Sequence, residues 1–412
     1  MNTLRQKIEQ EIRERGPIPF SRYMELCLYD PEFGYYSRNA QQFGKAGDFY
    51  TSSDVHAVFG RLMARQFEEM WRTLDSPGHI ALIELGPGRG LFAQDVLDWS
   101  ERKLPDFFRA LHYVLVESSP ALRHRIEVIL AHHIKAGRAE LSIPDSLSAR
   151  PEGLRATEGF RVSGGFWVAQ RFSAAKSPQP SPRALAPAIV FANEFYDALP
   201  CEVLSPQGAL RIDARAGRFV ETWAPPSPQE LEFLDRYSVH PEPGERVEVP
   251  LIAQQSMERI AASLDRGFII AIDYGYTREE QLAGRHRGTV KALRQHSVSA
   301  SPYEAPGEQD ITADVNFTAL AAAAEKHGML TQKLRTQSQF LMGIGETNQF
   351  ADAFEECRLP QERAKVALQL KHLVTPAGMG ESFHVLLASK GVEQEKAAAL
   401  AGLSFGRGKI RA

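Results

Sequence analysis

The feature that most constrains this chain is a junction between a strand and a helix. The apolar run Ile80-Ala81-Leu82-Ile83 ends in Glu84-Leu85, passes through Gly86-Pro87-Gly88-Arg89-Gly90, and meets a helix-like stretch that starts at Leu91. Glycines at this spacing let the backbone turn sharply and approach a ligand where any Cβ would clash. A second acid, Glu117, closes the next apolar run, Tyr113-Val114-Leu115-Val116. In nucleotide-binding α/β folds that position grips the two hydroxyls of a ribose.

The chain around this junction alternates strand and helix patterns. Residues 91–99 and 120–132 carry helical spacing, and residues 188–192 and 268–272 are short buried runs. Residues 329–342 and 383–389 predict a closing pair of strands, with helical 349–372 between them. A third core strand is supplied by residues 159–172, unless these form a hairpin. The stretch 173–187, rich in Ser, Pro and Ala, reads as a flexible surface insertion. Residues 201–250 hold short strand-like runs separated by Gly and Pro, the pattern of a small β-rich insertion. Upstream, residues 4–15, 20–29 and 55–74 read as helices, with Ser21 as candidate cap of the second. The expected fold is α/β: a Rossmann-like sheet, mostly parallel with a closing antiparallel strand, plus an N-terminal helical cap and a small β-rich insertion. The expected organisation is a cap and covering loop over residues 1–75, a core over 76–391 with insertions near 138–187, 201–250 and 275–313, and a tail over 392–412.

Composition narrows the class. The 412 residues, 43% apolar and 24% charged, suffice for a sizeable core. A formal net charge of -3 argues against a general nucleic-acid binder, which needs a basic field. Three widely spaced cysteines without a CxxC argue against a disulfide framework and a cysteine-rich zinc site, and for a reducing compartment. At the N-terminus, charges alternate with Leu4, Ile8 and Ile12, which is helical spacing and not the apolar core of a signal peptide. No run approaches the roughly 20 apolar residues that span a bilayer. These features predict a cytoplasmic protein with no membrane span. His132-His133 lacks the i, i+4 spacing of a metal pair and no HExxH occurs, so no catalytic metal is expected.

In a parallel sheet, ligands bind beyond the carboxyl ends of the strands. The loops after Leu85, Val116, Ala192 and Ile272 should therefore open onto one side, and each carries an acid: Glu84, Glu117, Glu194 with Asp197, and Asp273. Dehydrogenases use G-x-G-x-x-G. Here the glycines follow G-x-G-x-G, the tighter form typical of S-adenosyl-L-methionine-dependent methyltransferases of class I. That cofactor has no pyrophosphate to cradle, so the loop passes close to its amino-acid part and its sugar.

Further segments sharpen this reading. They are Tyr29-Asp30-Pro31 with Gly34-Tyr35-Tyr36, GDFYTSSDVHAVFG (47–60), ELGPGRG (84–90), ANEFYDALP (192–200), IDYG (272–275), GTVKALRQH (288–296) and GEQDITADVNF (307–317). Together they resemble the MidA-like family of methyltransferases, which includes a mitochondrial assembly factor that methylates an arginine of a respiratory complex I subunit. The likeness runs from about residue 20 to 390. It departs locally: Lys291 stands where the family often has Arg, and the Ser/Pro-rich stretch before Ala188 is longer. The resemblance implies protein arginine methylation, with a respiratory-complex-type subunit as partner. It also implies that the GDFYTSS segment (47–53) folds back over the cofactor, with Asp48, Phe49 and Thr51 near its methionine end; without the resemblance the segment reads as an ordinary turn.

Roles follow for the other residues. Gly86, Gly88 and Gly90 shape the cofactor floor. Glu84 fixes the cofactor's ammonium or a bridging water, unless it caps backbone donors. Glu117 accepts from the ribose hydroxyls. A guanidinium acceptor needs paired carboxylates to hold its plane and aim one nitrogen, which suits Glu194 and Asp197. Asp273 is a further candidate, and Asn193 offers an amide to acceptor or cofactor. The alternative for Asp197 is capping a helix at Ala198. Lys291, Arg294 and His296 form a basic cluster, either a solvated face or a docking patch. Two rival functions stay open: an assembly chaperone on the same fold, and a small-molecule methyltransferase.

Overall fold

The computed structural model describes residues 3–37, 57–143, 187–294, 297–299 and 301–406. Its centre is a sheet of six main strands: β1 (Ile80–Leu85), β2 (Leu111–Val116), β3 (Ala139–Ser142), β4 (Ala188–Asn193), β5 (Gly267–Tyr276) and β6 (Phe383–Lys390). Their order is β6-β5-β4-β1-β2-β3. The first five run parallel, and β6 lies antiparallel on β5. Short strands Leu330–Thr331 and Arg335–Thr336 finish the β6 edge.

Both faces of this sheet are apolar, so both are covered. Ile80 and Leu82 of β1, Ile189 and Phe191 of β4, and Ile270 and Ile272 of β5 face one core with α3 (Ala57–Thr73) and α4 (Leu91–Lys103). The alternate residues Ala81 and Ile83, Val190 and Ala192, and Ile269 and Ala271 face the other, with helices Leu251–Ser263 and Phe317–Glu325. Period-two alternation with apolar residues in both phases is what burial between two helix layers requires. The strand order reverses between β1 and β4. The ends there are in register, Leu85 opposite both Val116 and Ala192, and Asn193 opposite Ile272. Their loops therefore leave the sheet at one edge.

The N-terminal helices α1 (Leu4–Arg15) and α2 (Phe20–Tyr29) build a separate core with the insertion. Strands Glu202–Ser205, Gly208–Arg215, Arg218–Ala224 and Val247–Val249 form a small antiparallel sheet that also takes in Ile18–Pro19. A third sheet joins Lys291–Arg294, Ser297–Val298 and Asp310–Thr312.

Several expectations are corrected. The strand beside β2 is Ala139–Ser142, four residues long, and residues 159–172 lie outside the described residues. Residues 337–342, expected in a closing strand, belong to the helix Gln337–Glu346, because Thr336 and Gln339 make a reciprocal capping box that starts one. Ser21 caps nothing; its hydroxyl donates to Glu202, and α2 follows Pro19. The 201–250 insertion also contains a helix, Pro228–Tyr237. The α3 helix packs on the central sheet and not with the cap. Beyond residue 391, Ala397, Leu400 and Leu403 are buried in that same core. Among the described residues, no helix is long and apolar enough to cross a membrane.

Candidate active site

The turn after β1 is left-handed at Gly86, Gly88 and Gly90, with φ of +63°, +53° and +77°. The three have different neighbours. A Cβ on Gly86 would stand 3.1 Å from Phe195, and one on Gly90 would stand 3.1 Å from Ile126. A Cβ on Gly88 would meet nothing within 4 Å. Gly86 and Gly90 thus pack the turn against the protein, while Gly88 leaves open space. The Gly86 N–H donates to the Val116 carbonyl at 3.1 Å, which ties the turn to β2.

A crevice opens over this turn, enclosing about 1050 Å³ with the open solvent at its mouth included. Ligand sites commonly span roughly 300–1,000 Å³. Its wall is mostly acidic: Glu84, Glu117, Glu194, Asp197 and Asp310 line it together with Arg89.

Glu84 is buried at the end of β1, where the Tyr113 hydroxyl donates to its Oε2 at 2.8 Å. Burial pushes its carboxyl up to about 8, against the Tyr113 hydrogen bond and with help from Glu117. A side-chain hydroxyl on the neighbouring strand, not a backbone amide, is its partner. Glu117 follows β2 and accepts from the Ser119 N–H at 2.7 Å through Oε1. Burial raises it to about 7, opposed by the backbone N–H groups of Ser119 and Ser118. Ser119 in turn caps α5 (Pro120–Ile129), so Glu117 is held where that helix begins.

The loop after β4 is strained at Glu194, where φ is +51°. A non-glycine residue in that region costs on the order of 1 kcal/mol and persists only when its surroundings hold it. The Glu194 N–H donates to the Ile272 carbonyl at 2.9 Å, and the Asn193 amide donates to Glu194 Oε1 at 3.1 Å. Asp273 holds the rest of the loop. Its Oδ2 accepts the N–H groups of Phe195, Tyr196 and Asp197 at 3.2, 2.9 and 3.2 Å, and its Oδ1 accepts that of Tyr274 at 3.0 Å. Asp273 is fully buried and is not among the lining residues. Both of its oxygens serve the backbone, so it positions the loop where direct contact with a ligand had been expected. Asp197 is 3% exposed, and its Oδ1 is buried without a hydrogen-bond partner among the described residues. Residues 197 and 198 lie in a turn, so no helix is there for Asp197 to cap. Burial, then the charges of Asp273, Asp310 and Glu194, push its carboxyl well above the usual range.

Asp48, Phe49 and Thr51 lie outside the described residues. So does His296; Lys291 and Arg294 pair with Asp314 and Glu308. Glu101, His132 and His133 bring ligand-type atoms within 4.8 Å of one another despite the missing helical spacing, but none of them lines the crevice. The sequence reading gave no role to Asp310, Tyr29, Tyr36 or Tyr113. Asp310, Tyr29 and Tyr36 stood inside the quoted segments, and that was their only signal. Tyr113 carries no signal in the sequence beyond its place in an apolar strand run.

A doubly wound sheet with an antiparallel last strand, a glycine turn after its first strand and an acid after its second is the frame of a class I methyltransferase. The chain belongs to the MidA-like family of S-adenosyl-L-methionine-dependent methyltransferases, whose family model matches residues 62–334. It is 27% identical to the mitochondrial protein arginine methyltransferase NDUFAF7 homolog of Drosophila melanogaster, over 95% of this chain and 85% of the relative. With the human mitochondrial protein arginine methyltransferase NDUFAF7 the figures are 26%, 91% and 80%. Among solved structures, a COG1565 superfamily member from Burkholderia thailandensis bound to S-adenosyl-homocysteine superposes with a TM-score of 0.74. It shares 26% identity, over 96% of this chain and 94% of that one. The expectation of a cytoplasmic protein is overturned by the protein arginine methyltransferases that span this chain, which are mitochondrial proteins.

The protein is therefore a methyltransferase that uses S-adenosyl-L-methionine, and its residues suit that cofactor. Open space at Gly88 admits a close approach to the backbone. Buried acids that are costly to ionise alone gain from a cationic ligand.

Proposed function

We propose that the acceptor is the guanidinium of an arginine in a protein. The observation that carries this reading is Asp197, a buried carboxylate with an unpartnered oxygen, set in the crevice beside Glu194 and the glycine turn. The cofactor, when bound, supplies a methyl group on a sulfonium. The protein's own residues must then hold the acceptor and take up its proton. Two carboxylates can grip a planar guanidinium by paired hydrogen bonds and orient one nitrogen. Much of the rate comes from such positioning. A carboxylate whose proton affinity is raised, as at Asp197, is suited to accept the proton released as the nitrogen is methylated. The relatives' names, protein arginine methyltransferases, support the same acceptor, and the resemblance points to a respiratory-complex-type subunit. The protein is to be incubated with methyl-labelled cofactor and extract from cells lacking its gene, and the labelled proteins digested for mass spectrometry. Methylarginine in one or a few proteins is expected, and its loss with Glu194→Gln. Label confined to small molecules or to lysine overturns the reading.

A further inference from the structure

Asp310 reaches the crevice from outside the central sheet. It opens the short strand Asp310–Thr312, which pairs with Lys291–Arg294 in the small third sheet. Just past that strand, the Ala313 N–H donates to the Asp197 carbonyl at 3.0 Å, so the backbone after Asp310 is docked on the Asp197 loop. Asp310 itself is 3% exposed, and its Oδ1 accepts the Tyr36 hydroxyl at 2.8 Å. Tyr29 lies beside Tyr36 with ring centroids 5.4 Å apart, and its hydroxyl donates to the Ala198 carbonyl at 2.9 Å. Both tyrosines line the crevice. Three chain regions distant in sequence therefore converge on one acidic, aromatic corner.

We infer that Asp310, set by Tyr36, is a specificity-determining carboxylate of the acceptor subsite, selecting a guanidinium over an ammonium. The inference rests on the arginine reading and adds a residue to it. Asp197 lines the same crevice and carries a buried oxygen without a hydrogen-bond partner among the described residues, so the corner holds acceptor capacity that those residues do not use. A guanidinium presents five N–H donors around a rigid plane and can serve carboxylates on more than one edge, while tyrosine rings favour a cation nearby. An ammonium is compact and more strongly hydrated, and it gains less from a second, fixed carboxylate. The Tyr36 hydrogen bond restricts the Asp310 rotamer.

The test uses the full chain saturated with S-adenosyl-homocysteine, titrated calorimetrically with the amides of Gly-Arg-Gly and Gly-Lys-Gly. Wild type is expected to favour the arginine peptide by at least about tenfold. Asp310→Asn should shrink that ratio to about twofold or less, with homocysteine-product affinity kept within about twofold. Tyr36→Phe should lower the ratio part of the way, and it covers the case in which Asp310→Asn fails to fold. A purely structural role would move stability and leave the ratio alone. An unchanged ratio in the folded variants overturns the role of Asp310 and leaves the arginine reading standing. A wild type that does not distinguish the two peptides overturns both.

Discussion

Gly88 and Glu117 act through opposite properties, an absent side chain and a buried charge. Gly88→Val puts a β-branched side chain at a φ of +53° into open space. The backbone penalty is about 1–2 kcal/mol, with no packing clash to add. The variant should fold and should lose at least about tenfold in cofactor affinity by calorimetry; unchanged affinity would remove this turn from the cofactor site. Glu117→Gln keeps an oxygen for the Ser119 N–H and removes the charge. Cofactor binding should weaken. The free variant should also melt higher than wild type at pH 8, with the difference nearly gone at pH 4, where Glu117 is largely protonated in both the folded and the unfolded state. These two positions were legible in the sequence because a glycine turn and a strand-end acid are local patterns. Tyr113 as partner of Glu84 was not, since the two residues meet only through the register of β1 on β2.

Asp273 belongs to β5, yet its work is done on the loop after β4. Asp273→Ala would leave four backbone N–H groups without their acceptor and release the strained Glu194. A loss of about 3 kcal/mol or more is expected in urea unfolding followed by tryptophan fluorescence. Asp273→Asn should lose less, because one carbonyl oxygen remains. A neutral result for Asp273→Ala would show that the loop holds itself. Elements were readable where one signal dominated, as in the amphipathic α3. Residues 337–342 differ from the strand expectation because a run such as Phe340-Leu341-Met342 suits either state, and only the Thr336 cap decides. The four-residue β3 is too short to carry a period of its own.

Across the whole molecule, the acidic crevice couples proton uptake to cofactor binding. Glu84 and Glu117 ordinarily titrate near 4.5 and are pushed by burial to about 8 and about 7. Between those limits the free folded state binds more protons than the unfolded one, so their contribution to stability is present below about 4.5 and is lost as pH rises toward 8. A cationic ligand favours their ionised forms. Cofactor affinity should therefore rise about tenfold from pH 5.5 to 6.5, more than a pH unit below the range in which an α-amino group titrates. Glu84→Gln should flatten that slope, and a pH-independent affinity in wild type would uncouple these acids from the cofactor. Sequence by itself determined the doubly wound class, the glycine turn and the acid at each strand tip, because turn chemistry and apolar periodicity are local. Tertiary structure alone decided what each acid does. Asp197 and Asp273 are both strand-tip acids in sequence. One lines the crevice and keeps a buried oxygen without a partner among the described residues, the other spends both on backbone amides, and only the packing of distant segments separates the two.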